Sequence, residues 1–86
     1  MKVLVPPPLH SYTGGASHVE AQGGTLADLL ADLDRRYPGI RFRMIDEQDR
    51  VRPHIRLFVN TVLAPAIDHR LRAEDEVQII CALSGG

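Results

Sequence analysis

The sequence predicts an α+β fold: a mixed sheet of four to five strands with one main helix across one face. Three observations carry this prediction. One apolar stripe with helical spacing runs from Leu26 to Tyr37. Alternation from His54 to Asn60, and again from Glu76 to Leu83, marks half-buried strands. A β-branched apolar run, Lys2-Val3-Leu4-Val5, stands at the start.

That first run reads as a strand, because the three prolines that follow cannot donate to a sheet ladder and so end it. Residues 9–15, with Tyr12-Thr13-Gly14-Gly15, read as a loop or wide turn. Ala16 to Ala21 alternates weakly and is expected to return as a second strand, paired with the first as a hairpin. Gly23-Gly24-Thr25 then opens the helix. Thr25 suits the N-cap and Asp28 follows three residues later, close to a capping box. Leu26, Leu29, Leu30, Leu33 and Tyr37 form the apolar stripe, while Asp28, Asp32, Asp34, Arg35 and Arg36 take the other faces. The acidic residues come early and the arginines late, which suits the helix dipole. Pro38-Gly39 stops the helix.

Residues 40–53 read as a charged, irregular segment in which a turn tucks Phe42 or Ile45 under the helix, followed by an exposed loop at Asp46 to Arg50. In the next strand Ile55, Leu57 and Val59 face one way and Arg56, Phe58 and Asn60 the other. Asn60-Thr61 is turn-prone, and Val62-Leu63-Ala64 is a short return strand. Ala66 to Arg72 is a loop with room for one helical turn, and Ala73-Glu74-Asp75 is a polar turn. The final strand, Glu76 to Leu83, puts Val77, Ile79, Cys81 and Leu83 on one face. With the first and last strands central and side by side, this order is the β-grasp arrangement of ubiquitin-like proteins. Residues 1–82 are expected to form that domain and residues 83–86 a flexible C-terminal Gly-Gly tail.

At 86 residues there is room for one domain and one small core. A deep enzymatic pocket is disfavoured relative to a carrier, adaptor or binding module. The net charge of −1 lacks the basic excess of a nucleic-acid binder. Between Asp34 and Arg56, however, seven arginines stand against four acidic residues, which reads either as a solvated polar segment or as a docking patch for an acidic partner. One cysteine excludes an internal disulfide framework and a multi-cysteine zinc site. No run approaches the ~18 apolar residues of a membrane span, and the prolines cut short any signal-peptide stretch. The expected location is cytoplasmic, with no membrane or nucleic-acid partner.

The informative feature is Gly85-Gly86 directly after a core strand. Two terminal glycines arise by chance in about 0.5% of chains. Joined to Thr25-Leu26-Ala27-Asp28-Leu29-Leu30, Ile55-Arg56-Leu57-Phe58-Val59-Asn60 and the stretch from Leu71 to Ile80, this ending resembles the MoaD/ThiS family of sulfur carriers. The length and the Arg52 to Arg56 stretch look more like its MoaD-type or CysO-like branch than the shorter ThiS proteins.

The resemblance implies a carrier, not an enzyme. A MoeB/ThiF-like adenylyltransferase would use ATP to activate the Gly86 carboxylate. Sulfur from a desulfurase or rhodanese-type donor would then replace AMP, giving a thiocarboxylate for an acceptor synthase in molybdopterin or cysteine biosynthesis. No cofactor is expected to be bound by the carrier itself. Gly86 would carry the chemistry, with Gly85 and Ser84 providing access. Glycine leaves the attacked carbonyl uncrowded, and Leu83 to Gly86 can extend ~13 Å. Two other readings remain: a ubiquitin-like modifier conjugated through Gly86, and a passive β-grasp interaction module.

Other candidates weigh less. Cys81 lies on the Val77 and Ile79 face and reads as a buried, inert thiol. His10, His18, His54 and His69 share no metal-ligand spacing. Gly14-Gly15 and Gly23-Gly24 read as turns, and Asp46, Glu47 and Asp49 as a solvated loop. Arg56 and Phe58 on the outward side of their strand, with Leu83, are candidates for partner docking; the alternative packs Phe58 under the 40–53 loop.

Overall fold

A computed structural model describes residues 1–82. The expected tail, residues 83–86, lies outside the described residues. Five strands form one sheet: β1 (Lys2–Leu4), β2 (His18–Glu20), β3 (Ile55–Val59), β4 (Val62–Leu63) and β5 (Glu76–Cys81), in the order β2-β1-β5-β3-β4. β1 and β5 run parallel, and every other pairing is antiparallel. The sheet and the long helix are those the sequence predicts.

Helix α1 spans Leu26–Arg36, and the Thr25 hydroxyl accepts from the Asp28 amide at 3.2 Å, as a capping residue should. Leu26, Leu29, Leu30 and Leu33 are fully buried against Val3, Leu57, Val77 and Ile79. At roughly 1.5–3 kcal/mol for each such side chain, this interface dominates the stability of the domain. Two further α1 amides find partners far along the chain. Leu26 N donates to His69 O at 3.0 Å and Ala27 N to Ile67 O at 2.8 Å. The 66–72 segment therefore runs across the helix start and satisfies donors that a first turn leaves open. It forms an isolated bridge, Arg70 to Thr25, where the sequence allowed a helical turn.

Three local readings are corrected. Residues 40–44 form a second helix, α2 (Ile40–Met44), entered through Gly39 at φ 97°; only glycine adopts that torsion without strain. Ile45 is fully buried, but Phe42 is 60% exposed and does not tuck under α1. Asp32 is buried, where the helical wheel placed it among the polar faces. It accepts from Gln22 N at 2.8 Å and Arg36 Nε at 3.0 Å, and also from Arg35. A short 3-10 turn, Pro7–Leu9, buries Leu9 within the segment between β1 and β2.

Candidate functional site

The site is built around the end of β5. That strand lies between β1 and β3, and its last rung pairs Cys81 with Ile55. One residue further, Ala82 N donates to His54 O at 2.7 Å. The chain is thus held up to Ala82, beside the start of β3. The candidates Leu83, Ser84, Gly85 and Gly86 lie outside the described residues, so the structure defines the root of the tail.

Two surfaces meet at that root. The first is the sheet face away from the helices. The β3–β5 register sets Arg56 opposite Ile80, and Phe58 opposite both Gln78 and Leu63. Arg56 is exposed and Phe58 half-buried. Ile40, Met44 and Ile45 join the core with Leu57 on the other face, so Phe58 is not packed beneath the 40–53 segment. Leu63, 48% exposed, extends the apolar patch. Together Phe58, Leu63 and Ile80 make an apolar strip beside Arg56. The sequence points to Arg56 and Phe58 by alternation alone. Leu63 and Ile80 join them through strand register, which no local pattern encodes.

The second surface lies on the helix side. A cleft of about 440 Å³ is lined by Phe42, Arg43, Glu47, Arg52 and His54. A neighbouring cleft of about 290 Å³ adds Leu9, Tyr12 and Cys81, with Arg43 and His54 common to both. The Arg52 guanidinium carbon lies 4.5 Å from the Phe42 ring centroid, and its Nε donates to Phe42 O at 2.7 Å. Arg43 Nε donates to Tyr12 Oη at 2.7 Å, its guanidinium 5.9 Å from that ring. Arg56 Nη1 donates to Pro53 O at 2.6 Å and to Ile55 O at 3.0 Å. Cys81 is half-buried, where the sequence predicted full burial, and desolvation raises its thiol pKa. A protonated thiol is a poor nucleophile, so Cys81 is unsuited to attack.

The 46–50 loop is an Asx-type turn. Asp46 Oδ1 accepts from Arg50 N at 3.0 Å and Gln48 N at 2.8 Å. These amides, that of Arg50 first, hold its carboxyl below the usual carboxylate range. Among the described residues no cluster of three or more His, Cys, Asp or Glu is placed to hold a metal ion. No described helix is long and apolar enough to cross a membrane.

A five-stranded sheet of this order, grasping one long helix, is a ubiquitin-like β-grasp body, and the sequence after it ends in Gly85-Gly86. The ThiS family profile matches residues 3–86, and the chain belongs to that family. It is 30% identical over 89 residues to the sulfur carrier protein CysO of Mycobacterium tuberculosis, covering 98% of this chain and 96% of the relative. The crystal structure of the same protein superposes with a TM-score of 0.90 at 28% identity, covering 95% of this chain and 98% of the other. A chain of the Amycolatopsis orientalis BexX/CysO complex gives a TM-score of 0.91 at 28% identity, covering 99% and 98%. The fold is also that of small archaeal modifier protein 1 from Methanosarcina acetivorans, with a TM-score of 0.81 at 21% identity over 99% and 94% of the two chains.

Proposed function

We propose that this chain is a sulfur carrier protein that bears its sulfur as a thiocarboxylate on Gly86. The observation that carries the reading is the span of the family match, residues 3–86, which takes in Gly85-Gly86 together with the whole β-grasp body. A carboxylate is a weak electrophile. Its oxygen attacks the α-phosphorus of ATP on a MoeB/ThiF-like adenylyltransferase, releasing pyrophosphate and leaving an acyl-adenylate. The outer sulfur of a persulfide on a desulfurase or rhodanese-type donor attacks that carbonyl and expels AMP, giving an acyl disulfide. A second thiol then attacks the donor's sulfur, forms a disulfide with it and releases the thiocarboxylate. The thiocarboxylate then passes sulfur to an acceptor synthase.

On this reading the domain is a handle and the tail a substrate. Gly86 is the reacting residue, and Gly85 and Ser84 give access to the partner's site. The strip of Phe58, Leu63, Ile80 and Arg56 is where the body rests while the tail is inserted. Cysteine synthesis is the favoured destination over molybdopterin, because the relatives matched along their full length are CysO carriers. The chain acts as a co-substrate that binds no cofactor of its own, and it works in the cytoplasm.

Intact-protein mass spectrometry after incubation with an adenylyltransferase, ATP and a sulfide source tests this. The expected result is a mass gain of one oxygen-for-sulfur exchange, absent when Gly86 is deleted. Lysine-linked conjugates without that gain would instead identify a modifier. Failure of both, with a partner active on another carrier, would leave an interaction module.

A further inference from the structure

Apart from Arg50, for which no ion pair is found among the described residues, the arginines between residues 34 and 56 divide into two sets. Arg35 and Arg36 are ion-paired with Asp32, and Arg41 with Asp49 at 3.1 Å. Arg43, Arg52 and Arg56 form no ion pair among the described residues; their bonds go to Tyr12 Oη and to backbone carbonyls. These bonds use Nε of Arg43 and Arg52 and Nη1 of Arg56. They fix each side chain and leave terminal N–H donors without a partner among the described residues. Stacking on Phe42 and Tyr12 holds two of the guanidinium planes in place, which lowers the entropy lost when a ligand binds. One carboxylate, Glu47, shares the larger cleft.

The placement is as informative as the charge. Arg43 and His54 line both clefts, Cys81 lines the smaller one, and the His54 carbonyl holds Ala82. Arg56 stands on the opposite face of the same root. Fixed cations therefore flank both sides of the point from which the tail departs, on a chain whose net charge is −1. Phe42 is left 60% exposed, the position of an aromatic anchor within a polar patch.

We infer that Arg43 and Arg52, with the Phe42 ring against Arg52, and Arg56 across the root of the tail, form a docking surface for a carboxylate-rich segment of the protein that receives the tail. It rests on the carrier reading for the identity of that receiver. Its recognition chemistry, fork-like guanidinium donors to paired carboxylate oxygens, is independent of any sulfur transfer. Charge of this kind steers encounter and fixes register more than it adds affinity.

The test titrates the full chain with an oligoglutamate peptide, followed by 15N–1H NMR including the arginine Nε–Hε signals, and with inorganic phosphate as a second probe. Neither ATP nor sulfide is present, so failure here is separate from failure of thiocarboxylate formation. Shifts confined to Arg43, Arg52, Arg56, His54 and Phe42, falling away with added salt, are expected. The double variant Arg43→Gln/Arg52→Gln should weaken binding about tenfold, while Arg70→Gln/Arg72→Gln leaves it unchanged. Arg52→Lys keeps the charge but loses the stacked fork, and should bind more weakly than the unaltered chain. Equal shifts at Arg70 and Arg72 would overturn the proposal. So would phosphate matching the peptide in site and affinity, or no shift at all.

Discussion

Asn60 and Asp75 tie two turns together: Asn60 Nδ2 donates to Asp75 Oδ1 at 2.7 Å. Each partner also serves the backbone. Asn60 Oδ1 accepts from Glu76 N at 2.9 Å, and Asp75 Oδ2 from Arg72 N at 2.7 Å. The β3–β4 turn is thereby clamped to the start of β5. The clamp holds Asn60 at φ 49° and Thr61 at φ 71°, both in the left-handed region. Asparagine tolerates that region, but a β-branched threonine does not. Thr61→Gly should therefore stabilise the domain by about 0.5–1 kcal/mol, seen as a higher urea midpoint with an unchanged slope. A lower midpoint would show that Thr61 makes a compensating contact.

Gly23 sits where backbone meets backbone. A Cβ placed there would lie 2.4 Å from Leu29 N and 2.8 Å from Asp28 C. No flexible side chain can move aside, so the start of α1 must shift. Gly23→Ala should cost about 1–3 kcal/mol, lowering Tm by several degrees for a domain of this size. Gly24→Ala is the control: its Cβ would meet only Asp28 Oδ2 at 3.9 Å. Equal melting temperatures for the two variants would refute the argument.

Asp32 links stability to pH. The Gln22 amide is the main cause of its lowered pKa, with Arg36 and Arg35 adding to it against the opposing effect of burial. The unfolded chain therefore binds the proton more tightly than the folded one. The contribution of Asp32 is complete above the ordinary carboxylate pKa of about 3.9 and is lost as pH falls through the folded value. Asp46 and Asp75 are shifted the same way. Asp32→Asn should flatten the fall of stability on the acid side of about pH 4, measured by urea unfolding. A slope matching the unaltered chain would assign the acid sensitivity to the other two.

Leu63 offers a test of the sheet face with little folding cost. It is 48% exposed and paired with Phe58 at the sheet edge. Leu63→Ser should leave Tm nearly unchanged, since exposed substitutions usually fall within about 0.5 kcal/mol. Under the carrier proposal it should slow thiocarboxylate formation about tenfold through weaker docking. Loading at the ordinary rate would remove this face from the adenylyltransferase contact.

How much of this was legible in the sequence depended on range. The stripe from Leu26 to Leu33, the Thr25 cap and the alternation of Ile55, Leu57 and Val59 are local patterns, and each appears as read. Helix α2 has only five residues, too few to show a period. Its start is set by Asp34 Oδ1, which accepts from Gly39 N and Arg41 N at 3.1 Å each. Of Phe42 and Ile45, the two residues the sequence offered for burial under the helix, Ile45 is the one inside; Phe42 faces outward with Arg52 against it, a pairing across ten positions. Asp32 is buried because the Gln22 amide, ten positions away, reaches it. For the site, the Gly-Gly signal needs no fold to be read. The unpaired state of Arg43 and Arg52 becomes visible only once Arg35, Arg36 and Arg41 have found their carboxylates.

The parallel pairing of β1 with β5 also gives the domain a mechanical character. β5 is clasped by β1 from Glu76 to Gln78 on one side and by β3 from Val77 to Cys81 on the other. A pull on the chain beyond Ala82 loads these rungs in shear, so several hydrogen bonds must give way together; a hairpin peeled from its open end loses them singly. Force applied between the first strand and the last meets the same geometry. A partner can thus tug hard on the last residues without unravelling the body. An unfoldase that grips this end must break the centre of the sheet before it gains any slack.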